Sequence, residues 1–156
     1  MATQLTLHEV LEGAIQKEIM SRFLYISLRQ KVKNKASKEA FQDLADQEEV
    51  HQRALEDYLH GKIKEGTLND NLVVDYKIAD CLDQPEISPT MGLQDVFLLA
   101  AKKEQAAYDL YSGLAEIHPS GQVRILLQNL ASQEKEHKIR VESLYVEAAF
   151  PQTDGG

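Results

Sequence analysis

Shifted by 86 positions against itself, the sequence pairs like with like where helical composition alone does not explain it. Lys17 falls on Lys103, Glu18 on Glu104 and Tyr25 on Tyr111. Farther along, Gln47 falls on Gln133, Glu48 on Glu134 and His51 on His137. Ala14 with Ala100, Leu24 with Leu110, Leu28 with Leu114 and Leu44 with Leu130 extend the match without a gap. Leu and Ala matches arise readily between any two helices, whereas Glu, Tyr, Glu and His together do not. Such a chain reads as two copies of one helical hairpin related by a pseudo-twofold axis. A bundle made this way can build one site at its centre.

The apolar spacing supports the hairpins. Thr6 and Glu9 have the spacing of a capping box, and Leu7, Leu11, Ala14, Ile15, Ile19, Phe23 and Ile26 then mark a first helix ending near Lys31. The basic run Arg29, Lys31, Lys33, Lys35 and Lys38 reads as charge complementing that helix's dipole, not as a nucleic-acid patch. A second helix is expected from after Ser37 to Gly61, burying Phe41, Leu44, Ala45, Leu55, Tyr58 and Leu59, with Gly61 as its C-terminal cap. Asn34 to Ser37 is then a short link, which makes the two helices antiparallel neighbours. A third helix, about Gly92 to Ile117, carries Val96, Leu99, Ala100, Ala107, Leu110, Tyr111 and Leu114 on its apolar side. His118 to Gly121 links it to a fourth, about Gln122 to Ala149, which stops before Pro151.

Lys62 to Met91 breaks the pattern with Gly66, Asn69, Pro85 and Pro89, although Leu72 to Leu82 has room for a short helix. A helix of about 25 residues is roughly 37 Å long. A connector of this length can return along it and start the third helix parallel to the second. The expected fold is all-α: a four-helix bundle, up-down-down-up, with one long crossover between helices two and three. It forms a single domain over residues 1–156, with the bundle at about 6–149 and a disordered tail at 152–156.

Composition narrows the function. The net charge of −8 disfavours nucleic acid as a partner, because phosphate binding needs a basic face. No window approaches eighteen uninterrupted apolar residues, so no membrane span is expected. Met1 to Glu12 lacks the pattern of a signal peptide. Cys81 is the one cysteine, which excludes an internal disulfide and any four-thiolate centre and suits a cytoplasmic setting. A packing role suits this thiol better than a redox one.

The 25 acidic residues matter where they fall inward. Glu18 lies on the stripe of Leu11, Ala14 and Tyr25, and Glu104 on that of Phe97, Ala100 and Tyr111. A carboxylate there is costly unless it is paired or metal-bound. Glu48 and His51, three apart, share a helix face with Leu44 and Leu55, and Glu134 and His137 repeat this between Leu130 and Val141. With 15 Glu in 156 residues, one Glu-x-x-His spacing arises by chance about one time in ten. Two of them, each with an inward Glu thirty residues upstream, do not read as surface ion pairs. The six residues form the carboxylate-rich set of a dinuclear metal site in a bundle. Carboxylates suit hard iron or manganese ions and can bridge two of them, and each His adds one nitrogen. Glu49 and Glu136 point away from the ligands, His8, His60 and His118 are expected to face solvent, and Tyr108 suits either the site's mouth or the core.

On Glu18 with Tyr25, Glu48-Glu49-Val50-His51, Glu104, and Glu134-Lys135-Glu136-His137, the chain resembles the ferritin-like di-iron superfamily, most closely its rubrerythrin-like branch. The resemblance covers about Thr6 to Ala149. It implies that Glu48 and Glu134 bridge two iron ions, with manganese or mixed occupancy as alternatives. Glu18 and Glu104 are then terminal ligands, and His51 and His137 hold one ion each. It gives Tyr25 and Tyr111 catalytic roles, orienting the carboxylates or quenching oxidising equivalents. The implied activity is reduction of hydrogen peroxide or dioxygen by a homodimer. The alternatives are a ferroxidase that oxidises Fe(II) for detoxification or storage, an oxygenase acting on an organic substrate, and a metal-free structural bundle. With Cys81 alone, the four-cysteine rubredoxin module of full-length rubrerythrins is missing, so a separate electron-donor protein is expected. Ala107 stands where rubrerythrins carry a further Glu, which leaves a six-ligand set closer to a bacterioferritin ferroxidase centre. Glu49 stands where bacterioferritin has its haem-ligating methionine, so no haem is implied. A fifth short helix that closes ferritin cages is also lacking.

Overall fold

Helix α1, Leu7–Lys31, starts where the capping box places it. The Thr6 hydroxyl accepts from the Glu9 amide at 3.2 Å. In the computed structural model, which describes residues 4–83, 88 and 91–149, four long helices make the bundle. These are α1, α2 (Lys35–Leu59), α4 (Leu93–Ile117) and α5 (Gln122–Ala149). The bundle is ferritin-like, with α1 and α2 as one hairpin, α4 and α5 as the other, and the crossover between them.

Two details of α1 and α2 differ from the sequence reading. Helix α2 begins at Lys35 because the Asn34 side chain accepts from the amides of Ala36 and Ser37, at 2.8 and 3.3 Å. The link shortens accordingly to residues 32–34. Phe23 is 59% exposed. The buried face of α1 instead runs through Val10, Leu11, Ala14, Glu18, Leu24, Tyr25 and Leu28, rotated away from Phe23. At the α1 C-terminus, the Lys38 ammonium donates to the Arg29 carbonyl at 3.0 Å, so part of the basic run does complement the helix end. Gly61 follows α2 with φ of +76°, a backbone angle natural to glycine at this cap.

The crossover is tied to the bundle through its middle. Strand β1 (Leu5–Thr6) pairs antiparallel with β2 (Val73–Val74), Leu5 opposite Val74 and Thr6 opposite Val73. The Leu72 and Asp70 carbonyls accept from the Leu7 and His8 amides, at 2.7 and 2.9 Å, and so satisfy two free donors of the first turn of α1. A four-residue helix α3, Tyr76–Ala79, and a 3₁₀ turn, Asp80–Leu82, then fall inside the segment expected to hold a short helix. Two glycines inside long helices receive it. A Cβ on Gly13 would stand 2.8 Å from the Leu82 side chain, and one on Gly113 would stand 2.9 Å from that of Ile78. Each glycine costs its helix about 1 kcal/mol relative to alanine, and the close approach explains its use. The tail expected at 152–156 lies outside the described residues.

The core is split. One apolar cluster gathers Leu7, Leu11, Leu55, Leu114 and Leu127, and a second gathers Leu28, Phe41, Leu44, Phe97 and Val141. The inward-facing acids and histidines sit between them. Apolar packing above and below screens this polar layer from bulk water.

Candidate metal centre

Each long helix delivers its part of the layer from one turn. Helix α1 brings Glu18, α2 brings Glu48 and His51, α4 brings Glu104, and α5 brings Glu134 and His137. All six are 1–3% exposed. Glu48, His51, Glu134 and His137 each offer one ligand atom within 4.8 Å of the others. The Glu18 and Glu104 carboxylates complete the ring, 3.7 Å from His51 Nδ1 and 3.8 Å from His137 Nδ1 respectively. Every residue of the sequence-derived set is therefore brought together.

The contacts cross between hairpins, and they come in pairs. Tyr25 Oη donates to Glu104 Oε1, and Tyr111 Oη donates to Glu18 Oε1. His137 Nδ1 lies 2.7 Å from Glu48 Oε1, and His51 Nδ1 lies 2.5 Å from Glu134 Oε1. The two imidazoles stack, with centroids 5.4 Å apart and planes at 14°. Gln47 and Gln133, matched in the repeat but given no role from the sequence, are the missed members. Gln47 Oε1 sits 2.6 Å from His137 Nε2, and Gln133 Oε1 sits 2.5 Å from His51 Nε2. Their identity across the repeat was the available signal.

The layer is electrostatically incomplete as protein alone. Glu18 Oε2, Glu48 Oε2 and Glu104 Oε2 are buried without a hydrogen-bond partner, and His51 Nδ1 and Glu134 Oε1 meet each other without hydrogen-bond alignment, a concentration native structures rarely keep without a ligand. Burial, reinforced by the charges of Glu134, Glu18 and Glu104, holds the Glu48 carboxyl well above the usual range. Burial and the Glu104 and Glu18 charges do the same to Glu134. Burial pushes Glu18 up too, but hydrogen bonds to Glu48, His51 and Tyr111 and the charge of His51 outweigh it and leave that carboxyl low. Burial would lower His51, yet Glu18 raises it. Burial and the neighbouring acids keep both tyrosines well above their ordinary value, so they stay neutral donors. Four carboxylates sharing a dry layer with two imidazoles suit cations of high charge, and the oxygen-rich, two-nitrogen donor set fits hard transition-metal ions.

The remaining candidates separate clearly. Glu49 pairs with Arg53 at 2.9 Å, and Glu136 is exposed. His60 is exposed, and half-exposed His8 pairs with Glu12 at 2.9 Å. His118 overturns its expectation: it is 2% exposed because Tyr58 Oη meets its Nε2 at 2.5 Å while its Nδ1 meets the Leu114 carbonyl at 2.6 Å. Tyr108 is half-buried beneath the Lys135 ammonium, 5.6 Å from the ring centroid. A narrow cavity of about 20 Å³ reaches Glu18, Glu134 and Tyr111, and Lys17, Cys81 and Ala107 also line it. Burial and the charges of Asp109 and Asp80 push the Cys81 thiol up, away from a reactive thiolate.

With this geometry in hand, the family model Rubrerythrin matches residues 9–145. A hypothetical protein from Pyrococcus furiosus has a similar solved structure, with 24% identity, 95% of this chain and 93% of that one covered, and a TM-score of 0.74. It shows the same fold. No curated protein matches the chain.

Proposed function

The chain belongs to the rubrerythrin family, and on that premise we propose that its centre holds two iron ions and reduces hydrogen peroxide or dioxygen. The carrying observation is the convergence of unpartnered buried oxygens from Glu18, Glu48, Glu104 and Glu134. Glu48 and Glu134 would bridge the ions, Glu18 and Glu104 would be terminal ligands, and His51 and His137 would each give one nitrogen. Bound iron supplies Lewis acidity and the two electrons that, with two protons, convert peroxide to two water molecules.

The protein's own groups prepare that chemistry. Each tyrosine hydroxyl occupies one oxygen of a terminal carboxylate and leaves the other turned to the centre. Apolar clusters on both sides exclude bulk water. The cavity beside Glu18 has room for about one water-sized molecule, which favours a small oxidant over an organic substrate. A separate donor protein returns the electrons, in a reducing, cytoplasmic setting that suits a chain with one cysteine. Among the described residues no helix is long and apolar enough to cross a membrane. Val50 and Ile139, each at least 60% exposed, offer apolar surface for a homodimer.

Ala107 favours a second reading, a ferroxidase. It lines the cavity with a methyl group and so adds no seventh ligand. Stopped-flow oxidation of the Fe(II)-loaded protein tests both. The peroxidase reading expects faster oxidation by peroxide than by dioxygen, and repeated turnover with added reductant. Consumption of more than two Fe(II) per chain would favour the ferroxidase. Glu104→Ala should lower iron stoichiometry from two to one, and unchanged binding would refute the ligand assignment.

A further inference from the structure

The 86-residue repeat is broken at two positions that bear on the centre. Gln47 is held from behind: its Nε2 donates to Asp43 Oδ2 at 2.9 Å, and Arg140 Nη1 donates to the same oxygen at 2.6 Å. An ionised carboxylate only accepts, so the Gln47 amide nitrogen must face Asp43 and its carbonyl oxygen must face His137. His137 Nε2 is therefore a donor nitrogen. That leaves Nδ1 as the nitrogen that can offer a lone pair to a cation, and it is turned toward Glu48, Glu134 and Glu104, at 2.7, 3.9 and 3.8 Å. A cation bound there would take the place of the proton shared between His137 Nδ1 and Glu48.

On the other side the chain of constraint stops at the glutamine. Gln133 meets His51 Nε2 as Gln47 meets His137, but Asn129 stands where the repeat has Asp43, and Ala54 where it has Arg140. An asparagine side chain can turn either its oxygen or its nitrogen to a neighbour, so it does not dictate the orientation of Gln133. Gln133 is also exposed, whereas Gln47 is half-buried. The tautomer of His51 is consequently not fixed from outside, and its Nδ1 faces Glu134 and Glu18 at 2.5 and 3.7 Å without hydrogen-bond alignment.

We propose that the two halves of the centre are unequal: Gln47, Asp43 and Arg140 preset His137, so the metal position served by His137 fills before the one served by His51. Gln47 is a positioning residue in this scheme, acting through His137. The inference rests on the metal-binding reading above. Partners behind a ligating histidine are typically worth 10- to 100-fold in metal affinity, so the two positions should differ by about tenfold or more.

Titrating the metal-free full-length chain with Co(II), followed by calorimetry and by the Co(II) visible absorption, reads both positions without any turnover. Two steps are expected in the parent protein. His51→Ala should keep the tight step, and His137→Ala should keep only the weak one. Asp43→Asn, a change at a half-exposed side chain, should weaken the tight step about tenfold and leave the other unmoved. Asn129→Asp, at an exposed position, builds the missing constraint behind Gln133 and should tighten the weak step. A purely structural role for Asp43 would weaken both steps alike, and that result overturns the proposal. So does a single class of two equivalent positions, or an unresponsive Asn129→Asp. Failure to bind Co(II) at all would instead remove the metal-binding reading, and the proposal with it.

Discussion

His118 and His137 are buried to nearly the same degree, 2% and 3% exposed, and are opposite in kind. The bonding of His118 is complete: Nδ1 donates to the Leu114 carbonyl, and Nε2 accepts from the Tyr58 hydroxyl. Both partners are neutral, and they join the C-terminal ends of α2 and α4. His137 and His51 face acids whose oxygens outnumber the donors available, and several of those atoms have no partner. Burial therefore does not distinguish a structural histidine from a ligand. Whether the protein can complete the bonding without a guest does.

Metal depletion should break the comparison most visibly. A metal held at about a thousandfold above its dissociation constant stabilises the folded state by about 4 kcal/mol. In a domain of this size that corresponds to a Tm lower by about 10 °C after chelation. Calorimetric melting with and without chelator measures it. The same decrement is expected in Tyr58→Phe, because the His118 pair lies outside the centre; an unchanged Tm in both would erase the distinction.

Acidity should sharpen it, because the two environments respond with opposite sign. Glu48 and Glu134 are raised above their ordinary 4.5, so in metal-free protein their contribution is full below that value. It is lost as pH rises through their folded values. Burial lowers His118 below its ordinary 6.5, so its contribution is present above 6.5 and lost as pH falls through its folded value. Urea melts between about pH 5 and pH 8 should show Glu48→Gln reducing the alkaline loss in metal-free protein. Metal-loaded protein should retain only the acid-side loss. A Glu48→Gln profile parallel to the parent would contradict the crowding of charge at the centre.

The smallest effect belongs to the hydroxyl itself. Tyr58→Phe leaves His118 Nε2 buried without its donor and should cost about 1 kcal/mol, a Tm lower by roughly 2–4 °C. Metal stoichiometry should stay at the parent value. A change in stoichiometry would couple the two histidine environments that the structure keeps apart.

The centre was unusually legible because its signal is local. Glu18 and Glu104 interrupt apolar stripes, and the Glu-x-x-His pairs share a helix face whatever lies opposite. The helices were legible for the same reason, down to the Thr6 cap. His118 was not: a histidine at a helix end next to Pro119 and Gly121 looks solvent-facing until Tyr58 arrives from a helix sixty residues away. Gly13 and Gly113 read as weak points in helices, and only Leu82 and Ile78 of the crossover explain them.

The sequence by itself determined which side chains turn inward and that they do so twice, because periodicity and the 86-residue repeat are properties of the chain alone. Only the tertiary structure decided who meets whom. Tyr25 reaches Glu104, Tyr111 reaches Glu18, and each glutamine reaches the histidine of the opposite hairpin. The physical reason is that a helix fixes direction within a turn, whereas contact across a bundle depends on how two hairpins are rotated and set in depth against each other. That docking turned a symmetric list of residues into a centre whose two histidines are supported from behind by different neighbours.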